Sequence, residues 1–193
     1  VMETVRRHLN SRIQEQLYVV CLSEDILRAD KIYRYLKVLF LRGASAADQL
    51  QIPAVYEVFK LCRSVYNEKH QFIEFLRFSQ MSEGFLAGKI QPKNDVAELI
   101  APYFADRLPE ENWLICDIGR GKAAVHVKSE KWFLAEISSD ELEKICIQSD
   151  EKDWEKLWKT FFTAIAIEQR KNPDCQRSHL PLCFRPLMTE FQS

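Results

Sequence analysis

Apolar residues return at helical spacing through the first third of the chain. Across residues 24–41, Ile26, Tyr33, Leu36 and Phe40 predict one helix; Ser23 can cap its start and Gly43 stands where a helix would stop. A second helix is predicted after Pro53, with Val55, Val58, Phe59, Cys62, Val65 and Tyr66 on one face and Glu57, Lys60, Arg63 and Ser64 on the other. Residues 2–17 predict a further, less regular helix. Because that pattern is already running at Val5 and Leu9, an upstream segment is expected.

The period changes near Phe75. Residues 75–78 and 85–90 are short and aromatic-rich, are separated by Ser82, Glu83 and Gly84, and predict a hairpin that Pro92 ends. From Asp95 a short helix gathers Val96, Leu99, Ile100, Tyr103 and Phe104 on one side, with Pro109 beyond its end. Strands are predicted over 113–118, 123–127 and 132–137, joined by Gly119-Arg-Gly-Lys122 and by Ser129-Glu130. Short connections favour antiparallel pairing. Ser138 and Glu141 have capping-box spacing, and Trp154, Leu157, Trp158, Phe161, Phe162 and Ile165 form the apolar face of a last long helix. Beyond Glu168 the chain is polar and broken by Pro173, Pro181 and Pro186, which predicts an ordered polar loop. The expected architecture is α+β: N-terminal helices, an antiparallel sheet of about five short strands, then C-terminal helices and the loop, in a single domain over 1–193.

Composition narrows the class. In 193 residues, 47% are hydrophobic, enough for a sizeable core, and only 5 are Gly, few for a fold built on tight turns or a phosphate-cradling loop. The 6 Cys form no CxxC pair, which predicts reduced thiols in a cytoplasmic protein. No apolar run reaches the length of about 18 residues that a membrane helix needs. Gly84-Phe-Leu-Ala-Gly88-Lys89 fails as a nucleotide loop, being one residue short between its glycines and followed by Ile90 where a metal-binding Ser or Thr belongs. GxGxxG after a strand, HExxH, GxSxG and the zinc-deaminase, radical-SAM and uracil-DNA glycosylase signatures are missing from the sequence.

Charge is balanced overall, with 27 Lys+Arg against 28 Asp+Glu, but is segregated along the chain. Residues 118–132 carry Arg120, Lys122, Lys128 and Lys131 against Glu130; residues 170–186 carry Arg170, Lys171, Arg177 and Arg185 against Asp174; residues 136–156 are acidic. If the hairpin tip and the final loop converge, they form a basic surface for a phosphate backbone, with Asn172, Gln176 and His179 able to reach phosphates or base edges. A solvated charged face is the competing account for each run. Phe75, Phe78 and Phe85, near Arg77, offer rings for base stacking, against ordinary core packing. His126 alternates with Ala and Lys and is expected to face solvent; His70 is expected near a helix end. Cys175, His179 and Cys183, spaced by four, have zinc-like spacing; Pro181 opposes one helix through all three, so the favoured account is no metal, no cofactor, and two small thiols beside a hydrogen-bonded His.

Several motifs carry a resemblance. Pro102-Tyr-Phe-Ala-Asp-Arg107, Glu111-Asn-Trp113 with Asp117 and Arg120, Trp158-Lys-Thr-Phe-Phe162, Ile167-Glu-Gln-Arg-Lys-Asn-Pro173, Gln176-Arg177 and His179-Leu-Pro181 resemble the probable DNA metabolism protein family, over about residues 32–191. That family is a bacterial domain of unknown function, encoded beside a radical-SAM DNA repair or modification protein and in some lineages fused to a uracil-DNA glycosylase. The resemblance implies a polar signature at Asp106, Arg107, Asp117, Arg120, Glu168, Arg170, Asn172, Gln176, Arg177 and His179; cysteine at positions 175 and 183 departs from the family pattern. Three functions follow as expectations. The first is a DNA- or nucleotide-binding accessory protein, using Arg107, Arg120, Lys122, Arg170, Asn172, Gln176 and Arg177, that works with a radical-SAM or glycosylase partner. The second is a nucleic-acid-processing enzyme with Asp106, Asp117, Glu168 and His179 as acid–base groups. The third is a protein-interaction scaffold without nucleic-acid contact, which an exposed apolar patch on the first helices would favour.

Overall fold

The computed structural model describes residues 10–81, 84–138, 160, 172–188 and 191. It is an α+β protein with N-terminal helices, a five-stranded sheet and short C-terminal helices. Two compact units divide the chain, one comprising Val1–Gln71 with Pro92–Val96 and the other Phe72–Gln91 with Ala97–Ser193.

In the first unit, α1 (Ser11–Cys21) begins where the Asn10 side chain accepts the Ile13 N–H at 2.9 Å. The next helix starts later than Ser23 predicts. Ser23 Oγ accepts the Asp25 N–H and Asp25 Oδ1 accepts the Leu27 N–H, so two successive side-chain turns hold the backbone out of helix until α2 (Arg28–Arg42). α2 stops at Gly43, whose φ of 86° suits a residue without Cβ. A 3₁₀ turn (Ala44–Asp48) follows, and α3 (Pro53–Phe75) opens on its proline as predicted. Val55, Val58, Cys62 and Val65 are buried, whereas Phe59 and Tyr56 lie on the exposed side. Glu68 fixes the returning segment by accepting the backbone N–H groups of Lys93 and Asn94, and Asn94 in turn accepts from Glu24.

In the second unit the sheet order is β1 (Phe78–Gln80), β2 (Leu86–Ile90), β3 (Trp113–Asp117), β4 (Lys122–His126), β5 (Phe133–Glu136). Four of these positions match the predicted strands closely, and β3–β4–β5 is the expected antiparallel meander. One pairing differs. β2 and β3 run parallel, in register from Leu86↔Trp113 to Ile90↔Asp117, because α4 (Ala97–Arg107) lies between them and returns the chain to the starting end. The sheet is therefore mixed. α4 buries Ile100, Ala101 and Phe104, and Phe104 meets the Phe78 ring edge-on at 5.2 Å. Gly88 is needed beneath that ring, since a Cβ there would approach Phe78 Cε1 to 3.2 Å.

The predicted polar loop contains two short helices, α5 (Pro173–His179) and a 3₁₀ helix (Leu182–Leu187). Asn172 Oδ1 accepts the Cys175 N–H at 3.0 Å and Pro173 occupies the first helical position, where its missing N–H costs nothing. Phe184 is buried against Phe72 and Phe75, with ring centroids 4.8 and 5.3 Å away. The capping box at Ser138 and Glu141 and the aromatic helix around Trp158 fall outside the described residues, apart from Ser138 and Thr160.

Candidate nucleic-acid interface

The register places the sequence-predicted residues at two ends of the sheet. β2 and β3 finish together at Ile90 and Asp117, and β1 enters at that same end, since Phe78 lies opposite Gly88. The β3–β4 turn and the α3–β1 corner that anchors Phe184 therefore share one end. Asp106 and Arg107 close α4 at the other. There the following loop is tied to the far end of β4 by the Ser129 N–H to Pro109 carbonyl bond and by a Lys128–Glu110 ion pair at 3.1 Å. Asp106 and Asp117 are thus not brought together, and the enzyme reading loses the meeting of two of its four groups. Glu168 is outside the described residues.

At the β3–β4 turn, chemistry is spent on structure. Asp117 is fully buried; its Oδ1 accepts the N–H groups of Gly119 and Arg120 at 3.1 and 3.2 Å, and its Oδ2 accepts from the Arg120 guanidinium at 3.0 Å. Its carbonyl accepts the Gly121 N–H at 3.0 Å, and Gly121 takes φ of 62° to close the turn. Arg120, expected to face a polynucleotide, is drawn back onto this carboxylate, with its side chain 30% exposed. Lys122 lies across from Asp117 on one side and from Glu136 on the other. Of the expected basic tip, Arg120 is thus paired with a carboxylate, and Lys122 has Asp117 and Glu136 as its ladder neighbours.

The C-terminal segment is different. Arg177 and His179 are exposed on α5, with Asp174 the acidic residue of its first turn. Arg177 has no carboxylate partner among the described residues. Asn172 caps the helix and keeps an exposed side chain. His179 Nδ1 lies 2.9 Å from the Cys175 carbonyl, so an Nδ1–H donor leaves Nε2 as the outward acceptor. Arg185 is already engaged, its guanidinium lying 4.8 Å from the centre of the Phe191 ring. Arg170 and the side chain of Gln176 are outside what is described.

Other sequence-predicted chemistry is redistributed. Cys175 and His179 share α5, with Sγ 3.6 Å from Nδ1, while Cys183 follows on the next helix beyond Pro181. Among the described residues no group of three or more His, Cys, Asp or Glu can hold a metal ion. Phe75 and Phe78 are half-buried, Phe75 packing on Phe184 and Phe78 on Phe104 and Trp113, so both rings take part in the protein's own packing. His126 does not face solvent. It is buried, stacked on Trp113 at 5.0 Å with planes 9° apart, and its Nδ1 meets the Glu111 carbonyl at 2.9 Å. The small neighbours that suggested alternation are buried as well, because Ala123 and Ala124 occupy the two faces of a covered strand. Cys62, pushed up to about 11 by burial, is no nucleophile at neutral pH. What the sequence analysis missed is the outer surface of α2, where Tyr33 and Phe40 are 65% and 52% exposed; their helical spacing made them look like core.

No described helix is long and apolar enough to cross a membrane. Comparison with curated proteins and with solved structures gave no match. A family model, DUF4130, described as a domain of unknown function, matches residues 27–190. That span takes in α2 through the C-terminal 3₁₀ helix, with the whole sheet and both polar ends, and the chain therefore belongs to the DUF4130 family.

Proposed function

We propose that this chain is an accessory protein of DNA metabolism that binds DNA or nucleotide through α5 and its flanks and works beside a radical-SAM or uracil-DNA glycosylase partner. The observation that carries this reading is the exposed Arg177 guanidinium, unmatched by a carboxylate among the described residues, on a helix that also displays Asn172 and His179. A guanidinium suits phosphate as a forked donor, while an amide and an imidazole suit phosphate oxygens or base edges. Phe184 anchors the segment to the α3–β1 corner, so these groups are presented from a packed support. The motifs around residues 102–120 and 158–181 supply the genomic company, through their resemblance to the probable DNA metabolism protein family.

The test is fluorescence anisotropy with labelled single- and double-stranded oligonucleotides over a salt series. The expected result is saturable binding that weakens with salt, is reduced about 3–10-fold by Arg177→Ala, and has a salt slope shallower by about one phosphate contact in that variant. Flat titrations at low salt would remove the reading.

A further inference from the structure

We infer that β5 pairs edge to edge with β5 of a second copy of this chain, joining two sheets antiparallel about a two-fold axis. The inference goes beyond the nucleic-acid reading and uses none of the residues of α5. β5 is the last strand in the sheet order, and among the described residues nothing pairs with its outer side. The Ile137 N–H donates to the Gly121 carbonyl at 2.9 Å, which continues the Lys122↔Glu136 register by one residue. Backbone groups alternate in direction along an antiparallel strand, so Phe133 and Ala135 also bond to β4, while Leu134 and Glu136 turn their N–H and carbonyl groups outward. Natural edges are ordinarily blunted by lysine, proline or a bulge. β5 instead reads Phe133-Leu-Ala-Glu136 in an unbroken register, and Phe133 and Leu134, on opposite faces, are 49% and 41% exposed. The other edge, β1, is shorter and keeps Phe78 and Ser79 half-buried.

Charge and size select the occupant. Lys128 and Lys131 stand just ahead of β5, and from Glu136 onward the sequence is acidic. Antiparallel pairing of two copies sets the basic start of each strand beside the acidic end of the other, whereas parallel pairing would align like ends. Lys131 is exposed and has no carboxylate partner among the described residues, so its charge is available to that match. A pair centred on Leu134 brings the two outward-bonding leucines together. It also sets Phe133 of each copy across from Ala135 of the other, a large side chain beside a small one. Centring the pair on Phe133 would instead oppose Glu136 to Glu130 of the other copy, two like charges. An unrelated extended peptide would meet the same backbone groups, but the reversed charge order and the large-on-small alternation belong to this strand itself. They favour a second copy over another partner.

The experiment is sedimentation equilibrium of the full chain over a concentration range of about 1–200 µM, with amide hydrogen exchange followed at both ends of that range. The expected result is a monomer–dimer equilibrium in which the Leu134 and Glu136 amides exchange fast in the dilute monomer and slowly in the dimer. Leu134→Pro removes an outward donor without removing a bond to β4, and by symmetry it deletes two hydrogen bonds between the copies. It should weaken the dimer by about tenfold or more while circular dichroism shows the fold retained. Leu134→Lys keeps the backbone donor and places two like charges at the centre of the pair; it should weaken the dimer as well, and it serves where the proline disturbs folding. A chain that stays monomeric at the highest concentration, a dimer that a folded variant leaves unweakened, or Leu134 and Glu136 amides that exchange alike at both concentrations would overturn the proposal. Growth beyond the dimer into open-ended assemblies would point to β5 meeting β1 and would overturn the closed two-fold pair.

Discussion

Residues 118–132 and 170–186 carry four Lys or Arg each, yet an arginine from one, Arg120, and an arginine from the other, Arg177, end in opposite electrostatic states. At the turn, Arg120 is folded back onto the buried Asp117 carboxylate, and Lys122 faces Asp117 and Glu136 across the ladder. On α5, Arg177 is exposed beside one acidic residue, Asp174. A local count of Lys and Arg thus says little about the field a ligand meets. What matters is whether register brings carboxylates from elsewhere in the chain alongside. Glu136 is well separated from Lys122 in sequence but directly opposite it in the sheet, and such long-range pairing shapes the field that any phosphate backbone would meet.

The contrast can be broken most forcefully at the support of α5. Phe184→Ala removes a ring packed on Phe72 and Phe75 and is expected to cost about 3–4 kcal/mol in urea denaturation. Oligonucleotide affinity should fall with it, because the segment displaying Arg177 loses its anchor. Asp117→Asn should cost less, about 2–3 kcal/mol, since the amide keeps the shape but weakens the charged bond to a partly exposed Arg120 and cannot accept at every position the carboxylate serves. That variant should retain wild-type affinity for oligonucleotides at temperatures where it is folded. If Asp117→Asn lost affinity while folded, the turn would be part of the binding surface after all.

Local signals were readable where the physics is local. Gly43 stops α2, Pro53 opens α3, and the glycines at 119 and 121 mark the turn between β3 and β4. The helix after Asn172 was not read, because Pro173, Pro181 and Pro186 made the segment look like a loop, whereas Pro173 occupies the first helical position behind the Asn172 cap. Reading failed where the determinant is distant in sequence. The parallel β2–β3 pairing depends on α4 returning the chain across the sheet, and the burial of His126 depends on Trp113 lying opposite it in the ladder. At the site, residue identities were legible but their states were not. Arg120 and Arg177 look alike in the sequence, and only register and burial separate a guanidinium that secures a turn from one that faces solvent. α2 illustrates the converse, since helical spacing reports that Tyr33 and Phe40 share a side without reporting how much of either is exposed.

The most direct measurement compares Arg177→Ala with Arg120→Gln in one oligonucleotide anisotropy series at two salt concentrations. The account predicts that Arg177→Ala weakens binding about 3–10-fold and flattens the salt dependence, while Arg120→Gln stays within about twofold of the parent protein. A larger loss from Arg120→Gln than from Arg177→Ala, with both variants folded, would contradict it.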